Sequence, residues 1–320
     1  MSAVLHELVP LRYAGGEDLA SDHLGHVRAA SAVRQWQGRL VLVQDDVNVL
    51  ALLDASQREA GQTEPRLLPW GEGKRRTFDE GRGNKAAKLD LEAGLVLPDG
   101  RFVALGSGST PRRERVVVAW PDGRVELREA GELYAALRAE AGFSGAELNL
   151  EGATVVGDRV WLFQRGNGAA TATADPVDAT AELELGAWVA WLDGHGRLPP
   201  LSRVIAYDLG TVAGVRLGFT DAAALPDGRV AFVAAAEASP DAVRDGEVLG
   251  CRLGVIAGDE VTTCDVTDAS GEPSRLKLEG LELAAIEMVD GISHASFWVA
   301  VDMDRPDHPA MLGGLRVAWR

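Results

Sequence analysis

A unit that recurs five times along the chain is the feature that most constrains its fold. Each copy begins with a strand-like segment, continues through a glycine-containing turn and ends in a second apolar strand, as in an antiparallel hairpin. The four clear copies begin at Asp90, Asn149, Phe219 and Lys277, and a weaker one begins at Arg28. The tripeptide Val-Ala-Trp follows in three copies and predicts a third strand at Val118, Val189 and Val317. A repeated unit of four antiparallel strands is typical of a β-propeller blade.

The spacing of the copies predicts five blades. Equivalent positions in successive copies lie 58 to 70 residues apart, and five such units account for nearly all 320 residues. The units begin near residues 28, 88, 147, 217 and 276. Residues 1–320 are therefore predicted to form a single all-β domain, a five-bladed β-propeller of four-stranded antiparallel blades. A sixth blade within a long connection and a β-sandwich, which does not require equal repeats, are the alternatives.

Two of the predicted turns have a defined chemistry. Residues Pro98–Arg101 and Pro226–Arg229 share the sequence Pro-Asp-Gly-Arg and separate the first strand of a unit from the second. Proline presets φ at the first central position of a turn, and glycine accepts the positive φ that follows. Both segments are therefore expected to be tight turns.

The last unit lacks a fourth strand, because the sequence ends just after its third strand at Trp319. We expect the N-terminal segment 4–11 to supply this strand and so to close the ring. Closure of this kind would cover sheet edges that otherwise invite aggregation.

The composition excludes several classes of partner. The chain carries 32 Lys and Arg against 48 Asp and Glu, a formal net charge of −16. Such a charge opposes binding to nucleic acid or to an anionic membrane, because phosphate contacts need clustered cations. The first residues show no secretory signal, and no apolar run approaches the length of about 18 residues typical of a membrane helix. We therefore expect a cytoplasmic protein with no nucleic-acid and no membrane partner.

Polar side chains recur at positions that the repeat places on one face of the ring. A carboxylate occupies the same aligned position in four of the five copies, and serine occupies it in the first. The start of the first strand lies beside the end of the second in an antiparallel pair, so the polar ends of the second strands share that face. The candidate ligand-binding residues are Lys88, Glu92, Arg115, Glu151, Arg165, Asn167, Asp221, Glu237, Glu279 and Asp302.

Three interpretations of these residues remain open. The four aligned acids, Glu92, Glu151, Asp221 and Glu279, are candidate ligands for a divalent cation such as Ca²⁺, which takes several oxygen ligands. Alternatively, the acids orient the Arg and Lys side chains, and these bind an anionic ligand. In the third interpretation each acid accepts hydrogen bonds from the next blade and locks the ring. No residue is identified as catalytic from the sequence.

The stretch Lys88–Arg113 contains K-x-D-L-E followed by L-P-D-G-R-x-x-A-L-G-S-G-S-T-P-x-R. It resembles an uncharacterised family of bacterial propeller proteins, and Asn149–Gly152 and Gly218–Pro226 resemble the later blades of that family. The resemblance covers nearly all of the chain and implies a propeller fold. It brings no established activity.

More distantly, the Leu-Glu-Gly segments at Leu150 and Leu278 are similar to the phytase-like propellers labelled "esterase-like activity of phytase". That resemblance implies phosphoester or ester hydrolysis with a divalent metal. The chain departs from the secreted phytase-like proteins because it shows no signal peptide and no calcium loop of the D-x-[DN]-x-[DN]-G type.

Two functional hypotheses follow. In the first, an acidic mouth of the central channel binds a small polar or anionic ligand, with or without a divalent cation, and an enzyme would be a metal-dependent hydrolase. In the second, the chain is a non-enzymatic scaffold that binds a protein partner, and the acids only hold the ring together.

Overall fold

The computed structural model describes residues 1–238 and 246–319 and confirms an all-β chain. Strands β1 (Ser2–Pro10) and β2 (Arg12–Tyr13) come first. Unit 1 contains β3 (Ala30–Trp36), β4 (Arg39–Gln44), β5 (Val49–Asp54) and β6 (Gln62–Leu67). Unit 2 contains β7 (Leu91–Val96), β8 (Phe102–Gly106), β9 (Arg115–Ala119) and β10 (Val125–Glu129). Unit 3 contains β11 (Leu150–Val156), β12 (Arg159–Gln164), β13 (Asp178–Glu184) and β14 (Ser202–Tyr207).

A short hairpin, β15 (Thr211–Val212) and β16 (Val215–Arg216), leads to the second half of the fold. Unit 4 contains β17 (Gly218–Ala224), β18 (Val230–Glu237), β19 (Val248–Ala257) and β20 (Glu260–Thr267). Unit 5 contains β21 (Lys277–Val289), β22 (Ile292–Asp302) and β23 (Met311–Trp319). The α-helices are α1 (Gly131–Ala139), α2 (Ala141–Ser144) and α3 (Leu185–Leu192). The 3-10 turns are Ala55–Ala60, Glu72–Lys74, Lys85–Ala87 and Pro111–Arg113. Within the described ranges, no helix is both long enough and apolar enough to cross a membrane.

One predicted strand is wrong. The Val-Ala-Trp segment at Val189 lies in α3, and the third strand of unit 3 is β13, which precedes it. The Glu184 side chain begins the helix by accepting hydrogen bonds from the backbone N–H groups of Gly186 and Ala187. In a strand, backbone N–H groups would instead pair with a neighbouring strand. Trp188 is fully buried in the helix.

The N-terminal strand pairs with the last strand of unit 5. Strand β1 pairs antiparallel with β23 and, through Ala3 and Val4, parallel with β20. Units 4 and 5 therefore join into one eight-stranded sheet. Ala3 and Leu5 are buried, and the alternation along this strand gives it an inner and an outer face.

The first strands of the five units pack side by side in a closed cycle. Strands β3, β7, β11, β17 and β21 each contact the next one, and β21 contacts β3. Five apolar clusters fill the seams, each drawing on two neighbouring units. In β4, for example, Leu40 and Leu42 lie in one cluster while Val41 and Val43 lie in the next. Burial on both faces explains why these strands read as continuous apolar runs.

Each first strand carries a β-bulge near its start. One residue is left out of the pairing with the second strand in every unit, so that two residues oppose one. The bulged residues are Ser31, Glu92, Glu151, Thr220 and Glu279. A bulge breaks the in-and-out alternation and re-aims a side chain. In units 2, 3 and 5 it thereby turns a glutamate side chain toward the end of the ring where the second strands finish.

Candidate functional site

Four of the five bulged residues, Ser31, Glu92, Glu151 and Glu279, line a small cavity at one end of the ring, here called the mouth cavity. Its volume is about 40 Å³, enough for an ion or a few water molecules. Eight of the ten residues predicted from the sequence line it, namely Lys88, Glu92, Glu151, Arg165, Asn167, Glu237, Glu279 and Asp302. The remaining lining residues are Ala29, Ala30, Ser31, Asp45, Asp90, Arg113, Asn149 and Lys277.

Asp221 does not reach the mouth cavity, because the bulge of unit 4 is one residue earlier, at Thr220. The Thr220 hydroxyl donates to the carbonyl of Leu278 at 2.6 Å, so this bulge binds the next unit. Ser31 makes the same contact with Leu91, also at 2.6 Å. The bulges therefore carry three carboxylates, which line the cavity, and two hydroxyls, which bind the next unit.

Asp221 instead forms a buried ion pair with Arg34. The two side chains are 0% and 5% exposed, and their closest atoms are 2.6 Å apart. The Arg34 guanidinium also donates to the backbone carbonyls of Val33, Ala153, Ala222 and Leu281. Arg34 thus ties unit 1 to units 3, 4 and 5, which is a structural role.

Arg115 also lies away from the mouth cavity. Its Nη1 is 2.9 Å from the carboxylate of Glu129, at the outer edge of unit 2. Arg113, two residues earlier, lines the cavity in its place and is buried. Arg113 is the last residue of the 3-10 turn Pro111–Arg113, whereas Arg115 is the first residue of β9.

Three lining residues share an aligned position that the sequence prediction did not use. Asp90, Asn149 and Lys277 each stand two residues before the bulge of their unit. The repeat alignment already contained this signal, since the position is polar in three units. Their side chains project into the same cavity as the bulged glutamates.

On one side of the cavity, Lys88 is surrounded by aspartates. Its Nζ lies 2.6 Å from Asp45, 2.7 Å from Asp90 and 3.5 Å from Asp46. Arg113 contacts the second oxygen of Asp90 at 2.8 Å. At Asp90 the two cations outweigh burial and lower the pKa, whereas burial and the Asp46 charge raise the pKa of Asp45 to about 8.

On the other side, Arg165 and Lys277 are surrounded by glutamates. Arg165 contacts Glu237 at 2.7 Å and Glu151 at 3.2 Å. Lys277 lies 3.3 Å from Glu279. Burial raises the pKa of Glu279 well above its usual range despite these cations, and its Oε1 has no hydrogen-bond partner among the described residues.

Glu92 lies between the two groups and is the least compensated of the acids. Within the described part of the chain it makes no hydrogen bond or ion pair. Its carboxylate and those of Asp45 and Asp90 each offer an oxygen within 4.8 Å of the other two. Burial raises the pKa of Glu92 well above its usual range, and the charges of Asp90, Glu151 and Asp45 raise it further. This position favours a proton or a metal cation.

The set of acids predicted to hold a metal is only partly assembled. Glu92 belongs to the group of three close oxygens, but its partners there are Asp45 and Asp90 rather than Glu151, Asp221 and Glu279. Glu151 and Glu279 line the cavity on the side of Arg165.

Solved structures that align over nearly the whole chain do so at low identity. A streptogramin B lyase covers 97% of this chain and 97% of its own, at 11% identity and a TM-score of 0.41. A gluconolactonase from Xanthomonas campestris covers 99% of this chain and 98% of its own, at 14% identity and a TM-score of 0.41. A mannose phosphorylase from Leishmania mexicana, solved in complex with a phosphate ion, covers 98% of this chain and 88% of its own. Its sequence identity is 12% and its TM-score is 0.46. At these values the alignments support no inference about ligand or reaction.

No curated protein matches the chain. The predicted likeness to phytase-like propellers stays a prediction. The profile of DUF6929, a family of unknown function, matches residues 26–317. This range contains every lining residue of the mouth cavity. The chain therefore belongs to the DUF6929 family.

Proposed function

We propose that the chain is a five-bladed β-propeller whose mouth cavity binds a divalent cation and supports hydrolysis of a small ester or phosphoester. The observation that carries the proposal is the group of three carboxylate oxygens, from Asp45, Asp90 and Glu92, that lie within 4.8 Å of one another. They line a cavity of ionic size, about 40 Å³. Carboxylate oxygens are the ligands that Ca²⁺ and Mg²⁺ prefer.

Five blades are supported by the packing of the five units. Each unit has four strands when β1 is counted with unit 5, and the five first strands contact one another in a cycle. Apolar clusters fill all five seams. This cyclic packing among the described residues supports five blades rather than six.

The charge balance favours a cation over an anion. Seven carboxylates and four cationic side chains line the mouth cavity, so with every acid ionised it carries an excess of three negative charges, which protons or a bound cation must balance. Each of the four cationic side chains already contacts a carboxylate. Asp45 Oδ1 is buried and has no hydrogen-bond partner among the described residues. Such an oxygen is costly unless a donor or a metal satisfies it.

Lys88 would compete with the divalent cation. Its ammonium contacts both Asp45 and Asp90, at 2.6 and 2.7 Å. A divalent ion at these oxygens would displace the ammonium toward Asp46, which lies 3.5 Å away in this structure. The affinity for the ion would therefore depend on how far Lys88 can move.

The chemistry would take place where the mouth cavity meets a larger one. A second cavity of about 450 Å³ shares Ala29, Asp45 and Asp302 with the mouth cavity. Asp45, Asp90 and Glu92 would hold the cation, which would supply activation of a water for hydrolysis of an ester or phosphoester held there. Asp302, which lines both cavities, would accept the proton of the water and pass it to the leaving oxygen as the ester bond breaks.

Calorimetric titration of the protein with Ca²⁺, Mg²⁺ and Mn²⁺ tests the proposal. We expect one ion to bind with a stoichiometry of one, and Glu92→Gln to weaken it about tenfold or more, because a charged oxygen ligand is lost. Lys88→Met should tighten binding, since the internal competitor is removed. Glu287→Gln, which removes an exposed charge on β21, is the matched control.

Hydrolysis is measured on the same proteins with p-nitrophenyl esters and p-nitrophenyl phosphate. Cation-dependent turnover that is lost in Glu92→Gln supports the reaction. Absence of binding for all three ions, or equal binding by Glu92→Gln and the wild type, would overturn the cation site. A protein partner recovered with the ion-free chain would then favour the scaffold.

A further inference from the structure

A third cavity, here called the arginine cavity, lies beside the loop that joins β6 to β7. Its volume of about 850 Å³ falls in the range of small-molecule sites. Three segments form it: the loop before β3, the loop between β6 and β7, and the 3-10 turn after β8. Three arginines, Arg75, Arg82 and Arg112, line it beside two acids, Asp22 and Glu72. It shares no lining residue with the mouth cavity.

Positive charge is concentrated around the arginine cavity, in a chain whose net charge is −16. Besides the three lining arginines, Lys74 is exposed and makes no ion pair within the described ranges. Arg76 is buried next to the cavity and donates to the backbone carbonyls of Leu68 and Ser21 rather than to a carboxylate. These five cationic side chains contact only three carboxylates, those of Asp22, Glu72 and Asp79, among the described residues. A bound anion would lower the repulsion between the cations.

The ion pairs of two lining arginines are exposed and leave most of their donors open. Arg75 is 57% exposed and lies 3.5 Å from Asp22. Arg112 and its partner Glu72 are 50% and 64% exposed. Ion pairs between exposed side chains contribute little to stability, so a ligand can compete with them. In the described part of the chain each of these two arginines uses one of its three nitrogens, and two nitrogens remain for a ligand.

Arg82 is the fixed donor of the set. Its Nη1 lies 2.9 Å from Asp22 and its Nε lies 3.2 Å from Asp79. Asp22 is itself held in place, because its side chain is 12% exposed and accepts the backbone N–H groups of Arg76 and Thr77 at 2.8 and 3.2 Å. The guanidinium is thus oriented before any ligand arrives, and its Nη2 makes no contact with the described residues. Orientation in advance lowers the cost of ordering a site on binding.

The 3-10 turn Pro111–Arg113 separates the arginine cavity from the mouth cavity. Its two arginines serve different cavities: Arg113 is buried and contacts Asp90 at 2.8 Å, whereas Arg112 is exposed and lines the arginine cavity. An anion held by Arg112 would therefore not draw on the groups of the mouth cavity.

We propose that the arginine cavity binds a small organic phosphate, whose oxygens accept hydrogen bonds from Arg75, Arg82 and Arg112. Guanidinium groups present paired N–H donors that match phosphate oxygens. Leu19, which is 82% exposed, lines the same cavity and would contact the carbon body of the ligand. A nucleic acid is disfavoured, because its long backbone would also run along the acidic surface of the chain. The inference goes beyond the proposed function and does not rest on it.

Isothermal titration with phenylphosphonate, with a metal chelator present and at low and moderate salt, tests the proposal. The phosphonate keeps the charged head of a phosphate but has no ester bond to hydrolyse, and the chelator removes divalent ions from the mouth cavity. We expect one equivalent to bind and added salt to weaken it, because the arginines are partly exposed to solvent. Benzyl alcohol, which has the ring without the charge, should not bind.

Two substitutions of exposed side chains, Arg75→Gln and Arg112→Gln, should both fold normally. Each should weaken phenylphosphonate about tenfold, since charge-assisted hydrogen bonds to the anion are lost. The double variant should bind more weakly than either single variant. Arg316→Gln removes an exposed arginine from β23, outside the cavity, and is the matched control that should leave binding unchanged.

The outcomes are distinct from those of the cation titration. Absence of phenylphosphonate binding at both salt concentrations would overturn the inference, as would equal affinities of the wild type, Arg75→Gln and Arg112→Gln. Binding that is lost in Glu92→Gln and kept in both arginine variants would place the anion in the mouth cavity and also overturn it. Inorganic phosphate that binds as tightly as phenylphosphonate would overturn the assignment to an organic phosphate. Divalent-ion binding is measured separately, so either proposal can fail while the other stands.

Discussion

Arg34 and Asp221 bring opposite charges together at the centre of the molecule. Two hydrogen bonds of 2.7 and 2.6 Å join them, and the backbone N–H of Leu281 donates to Asp221 at 2.8 Å. Withdrawing two charges from water is costly, and the attraction offsets that cost only while both partners remain. The pair therefore fixes how the units pack together. Each side chain is needed to compensate the buried charge of the other.

Arg34→Met is expected to lower the free energy of unfolding by about 3–5 kcal/mol, because it leaves the Asp221 carboxylate buried without its partner. Urea denaturation measures the loss. The double variant Arg34→Met with Asp221→Leu should cost clearly less than the sum of the two single variants, since it leaves no buried charge. Strict additivity would show that the two side chains do not act as a pair.

The position of Asp221 also shows which site residues the sequence could predict and which it could not. Three of the four aligned acids do line the mouth cavity, because a repeat places equivalent residues in equivalent surroundings. The bulge adds one residue to each first strand, and no local residue preference reveals which residue is the extra one. Thr220 and Asp221 are adjacent and both polar, so the alignment could not tell them apart.

At the scale of the strands and turns, local chemistry decided which predictions hold. Gly100 and Gly228 both have φ of 86°, as the two Pro-Asp-Gly-Arg turns require. The tripeptide at Val189 forms part of a helix, because three apolar residues do not distinguish a buried strand from a buried helix. The sequence predicted residues 4–11 as a strand, and β1 spans Ser2–Pro10.

Two leucines of β1 test how this strand stabilises the ring. Leu5 is 4% exposed and packs in the apolar cluster between units 4 and 5, while Leu8 on the same strand is 40% exposed. Leu5→Ala should lower the free energy of unfolding by about 2–5 kcal/mol, through lost contacts and a new cavity. Leu8→Ala should change it by about 0.5 kcal/mol or less. Thermal or urea unfolding compares the two, and equal losses would contradict the packing described for β1.

For the whole molecule, buried acids dominate the response to pH. Burial raises the pKa of seven carboxyl groups, Asp45, Glu92, Glu151, Asp178, Asp221, Glu279 and Glu282. Such a group holds its proton in the folded state at a pH where the unfolded chain has released it. The folded state therefore binds more protons, and stability falls as pH rises through the interval between the two pKa values. The net charge of −16 acts in the same direction through self-repulsion.

Glu282 offers the clearest test of this pH dependence. Burial raises its pKa from 4.5 to about 7, although Arg34 lowers it, and its carboxylate accepts the backbone N–H of Gln35 at 3.0 Å. The free energy of unfolding should fall between about pH 5 and about pH 7. Glu282→Gln keeps the hydrogen bond but removes one titrating proton. It should therefore reduce the slope of the unfolding free energy against pH by up to about 1.4 kcal/mol per pH unit. Glu287→Gln, exposed on the same strand, should leave the slope unchanged. Urea titrations at each pH measure it, and a stability that rises with pH would mean that these acids ionise normally in the fold.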